Sequence, residues 1–310
     1  MKPLVRHSTF LAAICALLFV AATATAGAPL LTVPDGFVVE QVAGTPLVTH
    51  PMMAGFDDTG RLFVAESAGM NLNRAELEKD PPNFIRMLED TDGDGHFDKS
   101  TIFADRMHFP MGALWHEGAL YVASPPHIWR LQDTNGDGVA DRRDPIVSKF
   151  GYTGNAASVH GCFLGPTGRI FRCFGRHGYE LETKKGKSGG IFSCKPDGSD
   201  PQMHCGGGFD NPVEIAFTPE GEILGTVNIF NNRPRNDCVV HWMHGGLYPR
   251  RDMQQVLGEF KRTGDLLDPL ISFGHVTVAG MMRYRGEGLG PSFDGNLFVT
   301  HFNTNRVVRV

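Results

Sequence analysis

The chain has 310 residues, 41% of them hydrophobic, enough for one large core or two smaller ones. Its formal net charge of -5 is spread over dispersed acids and bases, which argues against a nucleic-acid or anionic-membrane surface. The 38 glycines and 20 prolines are distributed along the whole length, so they read as many turns between many short strands, not as disorder.

At the N-terminus, Lys2 and Arg6 precede an apolar run from Phe10 to Ala22, and Ala24-Thr25-Ala26 supplies a cleavage pattern before Gly27. Residues 1–26 therefore read as a signal peptide, and residues 27–310 as an exported domain, periplasmic or extracellular. A retained membrane anchor is the alternative, although the run is shorter than the roughly 20 residues a span requires. Val33 to Glu40 reads as a turn feeding an edge strand.

A pattern then recurs: apolar residues, a turn ending in Gly, a spacer, and two apolar residues that open a strand. The copies centre on Gly60, Gly118, Gly168, Gly221 and Gly295, separated by 58, 50, 53 and 74 residues. A period near 50 with one hairpin per unit predicts an all-β chain folded as a β-propeller, with five blades visible. A β-sandwich also supplies many hairpins, but has no reason to repeat one signature at this period. Because the sequence stops inside the apolar strand Asn305 to Val310, it reads as a fragment of a longer polypeptide or as a gene model cut short. Two insertions, Asn71 to Phe84 and Asp252 to Leu270, carry helical spacing; in the second, Met253, Val256, Leu257 and Phe260 share a face.

With Cys15 removed, Cys162, Cys173, Cys194, Cys205 and Cys238 remain, an odd number for an oxidising compartment. Cys194 and Cys205 flank one turn, and Cys162 and Cys173 flank another. Disulfides across these two hairpins are one reading and buried free thiols the other.

Two acidic loops fit D-x-[DN]-x-D-G-x-x-D, in which oxygens at alternate positions wrap a hard cation and Gly permits the bend. The first offers Asp90, Asp92, Asp94 and Asp98; the second offers Asp133, Asn135, Asp137 and Asp141. Their flanks are strand-like, and neither places Glu at the twelfth position. Bound calcium would rigidify these loops; the alternative is acidic hairpin turns that bind nothing tightly.

A propeller draws its reactive centre from residues of several blades. His160 is the candidate general base, since a neutral imidazole takes a proton from a hydroxyl as hydride leaves the same carbon. Asn211 and the cluster Asn228, Asn231, Asn232, Arg233 and Arg235 flank the fourth hairpin, and His275 and His301 flank the fifth. Turn chemistry is the bland account of the Asn residues. No GxSxG, HExxH, P-loop, dinucleotide or CxxCH motif occurs.

Taken together, GGFDNPVEIAFTPEGEIL, then HGGLYP, then GHVTVAGMMRYRGEGLGPSFDGNLFV resemble the blade signatures of soluble quinoprotein glucose dehydrogenases and sorbosone dehydrogenases. EDTDGDG, QDTNGDG and the final GNLFVTHFNTNRVVRV look most like the membrane-bound dehydrogenase domain of large exported planctomycete-type proteins. The resemblance implies a six-bladed propeller in the full protein that holds pyrroloquinoline quinone (PQQ) with calcium. It implies oxidation of a sugar or alcohol, and electron transfer to a cytochrome c. His160 falls near the quinoprotein base, and Asn211-Pro212 matches the Asn-Pro of an Arg-Asn-Pro motif. Asn211, Arg233, Asn232 and His275 are the cofactor-binding candidates. Asp210 stands where that motif has Arg, which predicts repulsion of the quinone carboxylates. The competing reading is a catalytically silent propeller that binds carbohydrate or a protein partner.

Overall fold

The five repeated glycines each close a hairpin in the left-handed region: φ is +90° at Gly60, +72° at Gly118, +75° at Gly168, +90° at Gly221 and +78° at Gly295. An L side chain rarely adopts this conformation, so the repeat in the sequence is a repeat of turn geometry. Three of the turns share one hydrogen-bond pattern, in which Asp57 N donates to Arg61 O, Gly165 N to Arg169 O and Thr218 N to Glu222 O.

The computed structural model describes residues 31–148, 150–153, 158–176, 178, 181–182, 187–248, 250, 258 and 260–310. Met1–Glu40 and Gln41–Val310 are separate compact units. In the first, residues 31–40 form no strand, so the edge strand expected from Val33 is absent; Pro34 and Gly36 favour the turn that Phe37 N closes onto Pro34 O. The signal-peptide residues lie outside the described residues. Among those described, no helix is long and apolar enough to cross a membrane.

The second unit is a propeller of five blades. Blade I is β1 (Pro51–Phe56), β2 (Leu62–Glu66), β3 (Asn83–Glu89) and β4 (Lys99–Met107). Blade II is β5 (Leu114–His116), β6 (Ala119–Ser124), β7 (His127–Gln132) and β8 (Arg142–Val147). Blade III contains β9 (Val159–Leu164), β10 (Ile170–Phe174), β11 (Leu181–Glu182), β12 (Lys187–Cys194) and β13 (Gln202–Gly207). Blade IV contains β14 (Asn211–Phe217), β15 (Ile223–Asn232), β16 (Arg235–His241) and, after β17 (Leu247–Tyr248), β18 (Ile271–Gly274). Strand β17 leaves this order and pairs in parallel with β13 of blade III. Blade V is β19 (Val278–Arg283), β20 (Leu297–His301) and β21 (Arg306–Arg309).

Alternation along each strand sends neighbouring residues to opposite interfaces. Phe63, Ala65 and Met87 pack with Leu120 and Val122 between blades I and II. Tyr121 and Ile128 pack with Val159 and Phe174 between blades II and III. Phe171 and Ile191 pack with Val227 and Trp242 between III and IV, and Val239 packs with Met281 and Val299 between IV and V. Such a stack explains why β6 and β10 are buried on both faces.

The same alternation overturns the disulfide reading. All five described cysteines are free and buried. Cys162 and Cys194 lie in the II/III interface, whereas Cys173 and Cys205 lie in the III/IV interface, so each expected pair straddles a sheet. One like-facing pair is also out of reach. Cys173 and Cys205 both oppose Ile191 from flanking strands, about 9–10 Å apart, beyond disulfide reach.

The first helical insertion is shorter than its spacing suggests. Helix α1 spans Arg74–Lys79, with an Asn73–Glu76 capping box at its start. Pro81-Pro82 precludes its continuation, and Asn83 already opens β3. Most of the second lies outside the described residues, Met253, Val256 and Leu257 included; residues 260–270 form no helix.

Candidate active site

The up-and-down order of each blade gives the propeller two distinct ends. Hairpins β1–β2 and β3–β4, and their counterparts, turn at one end, here the turn end. At the other, the crossover end, the chain passes to the next inner strand. The inner strands β1, β5, β9, β14 and β19 all begin at the crossover end.

His160 is the second residue of β9 and Asn211 the first of β14, so neighbouring blades bring them together. His160 Nε2 and Asn211 Oδ1 are 2.9 Å apart, and His160 is 2% exposed. With the amide oxygen facing it, Nε2 carries the ring proton and Nδ1 the lone pair. Cys173 Sγ donates to the His160 carbonyl at 3.7 Å, fixing the strand beneath the ring. Backbone packing is close here too: Gly161 N donates to Met111 O at 2.9 Å, and a Cβ on Gly112 would lie 1.6 Å from Gly161 O.

Asp210 is not the free carboxylate that its place in the sequence suggests. Arg250 Nη1 lies 2.7 Å from Asp210 Oδ1, and the two side chains are 3% and 13% exposed. This buried ion pair neutralises the acid, so the expected repulsion of an anionic ligand is corrected. The Asp210 carbonyl accepts from Arg176 N at 2.5 Å. The sequence reading missed Arg250, whose partner lies far away in the chain. The parallel β13–β17 pairing carries residues 247–248 to the end of β13, just before Asp210.

Asp237 organises the next sector and was also missed. Its fully buried carboxylate accepts from Ile229 N at 2.7 Å, Val276 N at 2.9 Å and Thr277 N at 2.7 Å. Arg235 Nε lies 3.4 Å from Asp237, while Nη2 donates to Asn228 Oδ1 at 2.7 Å and Thr277 Oγ1 at 3.2 Å. Asn228 in turn opposes Asn211 in the β14–β15 register. Arg235 is thus bound inside the hairpin, while Asn232 and Arg233 occupy its exposed tip. His275 is exposed on the crossover held by Asp237. Buried His301 packs against Phe273 at 4.5 Å between ring centroids, and burial lowers its pKa. All these groups belong to the crossover end, where His160 meets Asn211 and Arg235 meets Asn228.

Helix α1, inserted between β2 and β3, reaches the same end. Arg74 stacks over Tyr152 at 4.3 Å, and Tyr152 Oη donates to Glu78 at 2.6 Å.

The acidic loops lie at the opposite, turn end, between β3 and β4 and between β7 and β8. Asp90 accepts from Gly93 N and Gly95 N, and Asp133 from Gly136 N and Gly138 N. Asp98 and Asp141 are each engaged by the threonine after the first Asp, Thr91 and Thr134. Asp90, Asp92 and Asp94 offer oxygens within 4.8 Å of one another. The second loop substitutes Asn135 for one of these carboxylates, beside Asp137. It also docks on blade I, where Ala140 N donates to Phe103 O at 2.7 Å. A cation held there would brace two blades, remote from His160.

A family model described as a domain of unknown function, DUF7133, matches residues 26–310. The chain belongs to the DUF7133 family. No curated protein matches it. Among solved structures, this DUF7133 chain is similar to an oxidoreductase of Thermus thermophilus titled a glucose dehydrogenase. Identity is 19%, TM-score 0.59, and coverage 87% of this chain and 81% of that one. A PQQ-bound aldose sugar dehydrogenase of Streptomyces coelicolor matches at 15% identity and TM-score 0.60, over 88% and 80% of the two chains. A nidogen/laminin complex matches at 11% identity and TM-score 0.53, over 87% and 78%. At these identities the likeness shows the propeller fold.

Proposed function

We propose that the crossover end is the active site of an exported sugar or alcohol dehydrogenase that uses PQQ. The observation that carries this reading is the buried His160–Asn211 pair at the start of two adjacent inner strands. The planctomycete-type likeness, the signal peptide and a cytochrome c acceptor belong to the same proposal.

The residues present suit the quinone chemically. The floor is an imidazole and an amide, the nearby acid is cancelled by Arg250, and Arg233 and His275 stand exposed toward solvent. Asn211 and Asn232 would hold the quinone oxygens, and Arg233 and His275 its carboxylates. Bound quinone would supply a two-electron acceptor. His160 would take the proton of the substrate hydroxyl, with Asn211 fixing the ring that performs the transfer. Calcium in the acidic loops would have a structural task.

The test is dye reduction by the purified chain, reconstituted with PQQ and calcium, on a panel of aldoses and alcohols. Turnover on at least one substrate, reduced roughly 100-fold or more in His160→Ala, is the expected result. Turnover unaffected in that variant would remove the base assignment. The similarity to a nidogen/laminin complex favours one other reading, a silent propeller that binds a partner. Absence of both quinone binding and turnover would favour it.

A further inference from the structure

The inner strands also line a cavity of about 630 Å³ on the side of the turn end, within the usual volume of small-molecule sites. Its walls are largely apolar, with Met53, Phe163, Ile215 and Met281 contributed by four blades. Its charged lining groups are few: Glu214 on β14, and Arg283 and Arg285 at and just beyond the end of β19. Neither His160 nor Asn211 lines it.

Glu214 has no ion pair among the described residues, and its carboxyl accepts from Met281 N. Opposite it, Gly280 leaves space: a Cβ there would lie 3.8 Å from Glu214 Oε2 and 3.6 Å from Thr300 Oγ1. Burial pushes the Glu214 pKa up to about 8, so at neutral pH the side chain is chiefly a neutral acid with a proton to donate. Arg283 lies two residues beyond Met281 and Arg285 four, about 7 and 13 Å along an extended chain. Arg285 is exposed and Arg283 half-buried; exposed Glu220 senses Arg283 but does not line the cavity.

We propose that this axial cavity is a second binding site, for a small organic anion with an apolar chain and a hydroxyl or carbonyl at its inner end. The anion would sit on the Arg283 and Arg285 guanidiniums, the chain would run along Met53, Phe163 and Met281, and the inner oxygen would accept from Glu214. A cationic ligand would meet two arginines at the entrance and a neutral acid at depth. The site is separate from the His160 chemistry and does not rest on it.

Isothermal titration of the purified chain at pH 7 with 8-hydroxyoctanoate tests this. Saturable one-to-one binding is expected, at least ten-fold tighter than that of octane-1,8-diol, with 8-amino-1-octanol weaker still. The double variant Arg283→Gln, Arg285→Gln changes rim side chains, and its fold is checked by thermal melting. It should lose at least ten-fold in affinity for the hydroxy acid and leave diol binding unchanged. Glu214→Leu should remove the preference for 8-hydroxyoctanoate over octanoate. No saturable binding by folded wild type, equal affinity for the amino alcohol, or an unaffected arginine double variant would overturn the proposal.

Discussion

At the crossover end, polar side chains meet one another: His160 touches Asn211, Arg250 cancels Asp210, and Asp237 gathers three backbone N–H groups of two segments. At the turn end, the backbone closes its own hairpins around glycines. There Glu214 faces apolar walls with a single backbone donor. The difference follows from connectivity. A tight hairpin satisfies its own hydrogen bonds, whereas a crossover between blades leaves N–H groups that a buried carboxylate must satisfy. The crossover end is therefore where polar chemistry accumulates, and the turn end is where a glycine repeat can be read.

Breaking the pairing at the crossover end should have the largest effect. Arg250→Ala strands Asp210 as a buried charge and should cost about 3–5 kcal/mol in chemical denaturation, with Asp210→Asn in the same chain restoring much of it. Equal stability of the single variant and wild type would show that Asp210 is not held as described. Gly112→Val comes next. Its side chain would overlap the Gly161 carbonyl beside His160, and a loss of ~3 kcal/mol corresponds to a fall in Tm of roughly 6–12 °C.

Protonation separates the ends more gently. On blade III, Ser193 Oγ accepts from Arg169 Nε at 2.8 Å and lies 2.8 Å from His204 Nε2. Burial, aided by the charges of His244 and Arg169, pushes the His204 pKa down to about 4. The unfolded chain, with an ordinary histidine near pH 6.5, binds this proton more readily. Stability is therefore complete above pH 6.5 and is lost as pH falls toward 4. Melting temperatures measured across that window should decline, and His204→Asn should flatten the decline. Buried His301 adds a contribution of the same sign.

The smallest expected effect is at the acidic loops. Calcium should raise Tm by a few degrees, a chelator should reverse this, and Asp90→Asn with Asp92→Asn should reduce it. Affinity for ligands of the crossover end should not change, because these loops lie at the other end. A chelator that abolished quinone binding would break the separation.

Much of the architecture was legible because it is local. Gly60, Gly118, Gly168, Gly221 and Gly295 mark the hairpins directly, and the apolar pairs after Gly118 and Gly168 open strands buried on both faces. The cysteines misled because flanking a turn says nothing about face; one step of register or a bulge sends Cys194 and Cys205 to different interfaces. In the site, His160 and Asn211 stood out at hairpin entrances. Asp210 was seen, but its sign was misread, because Arg250 reaches it through a parallel pairing that no local pattern announces. Of the arginines in the 228–235 cluster, the sequence favoured Arg233, yet alternation along the hairpin turns Arg235 toward Asp237 and leaves Arg233 at the tip.

The central claim is that the crossover end receives a quinone against His160 and Asn211. Titration of the purified chain with PQQ, followed by its visible absorbance, tests this without turnover. Saturable binding that weakens at least ten-fold in Asn211→Ala and in Arg233→Ala, but persists in the Asp90→Asn, Asp92→Asn variant, is the predicted result. No saturable binding by folded wild type, or undiminished binding by Asn211→Ala, would contradict it.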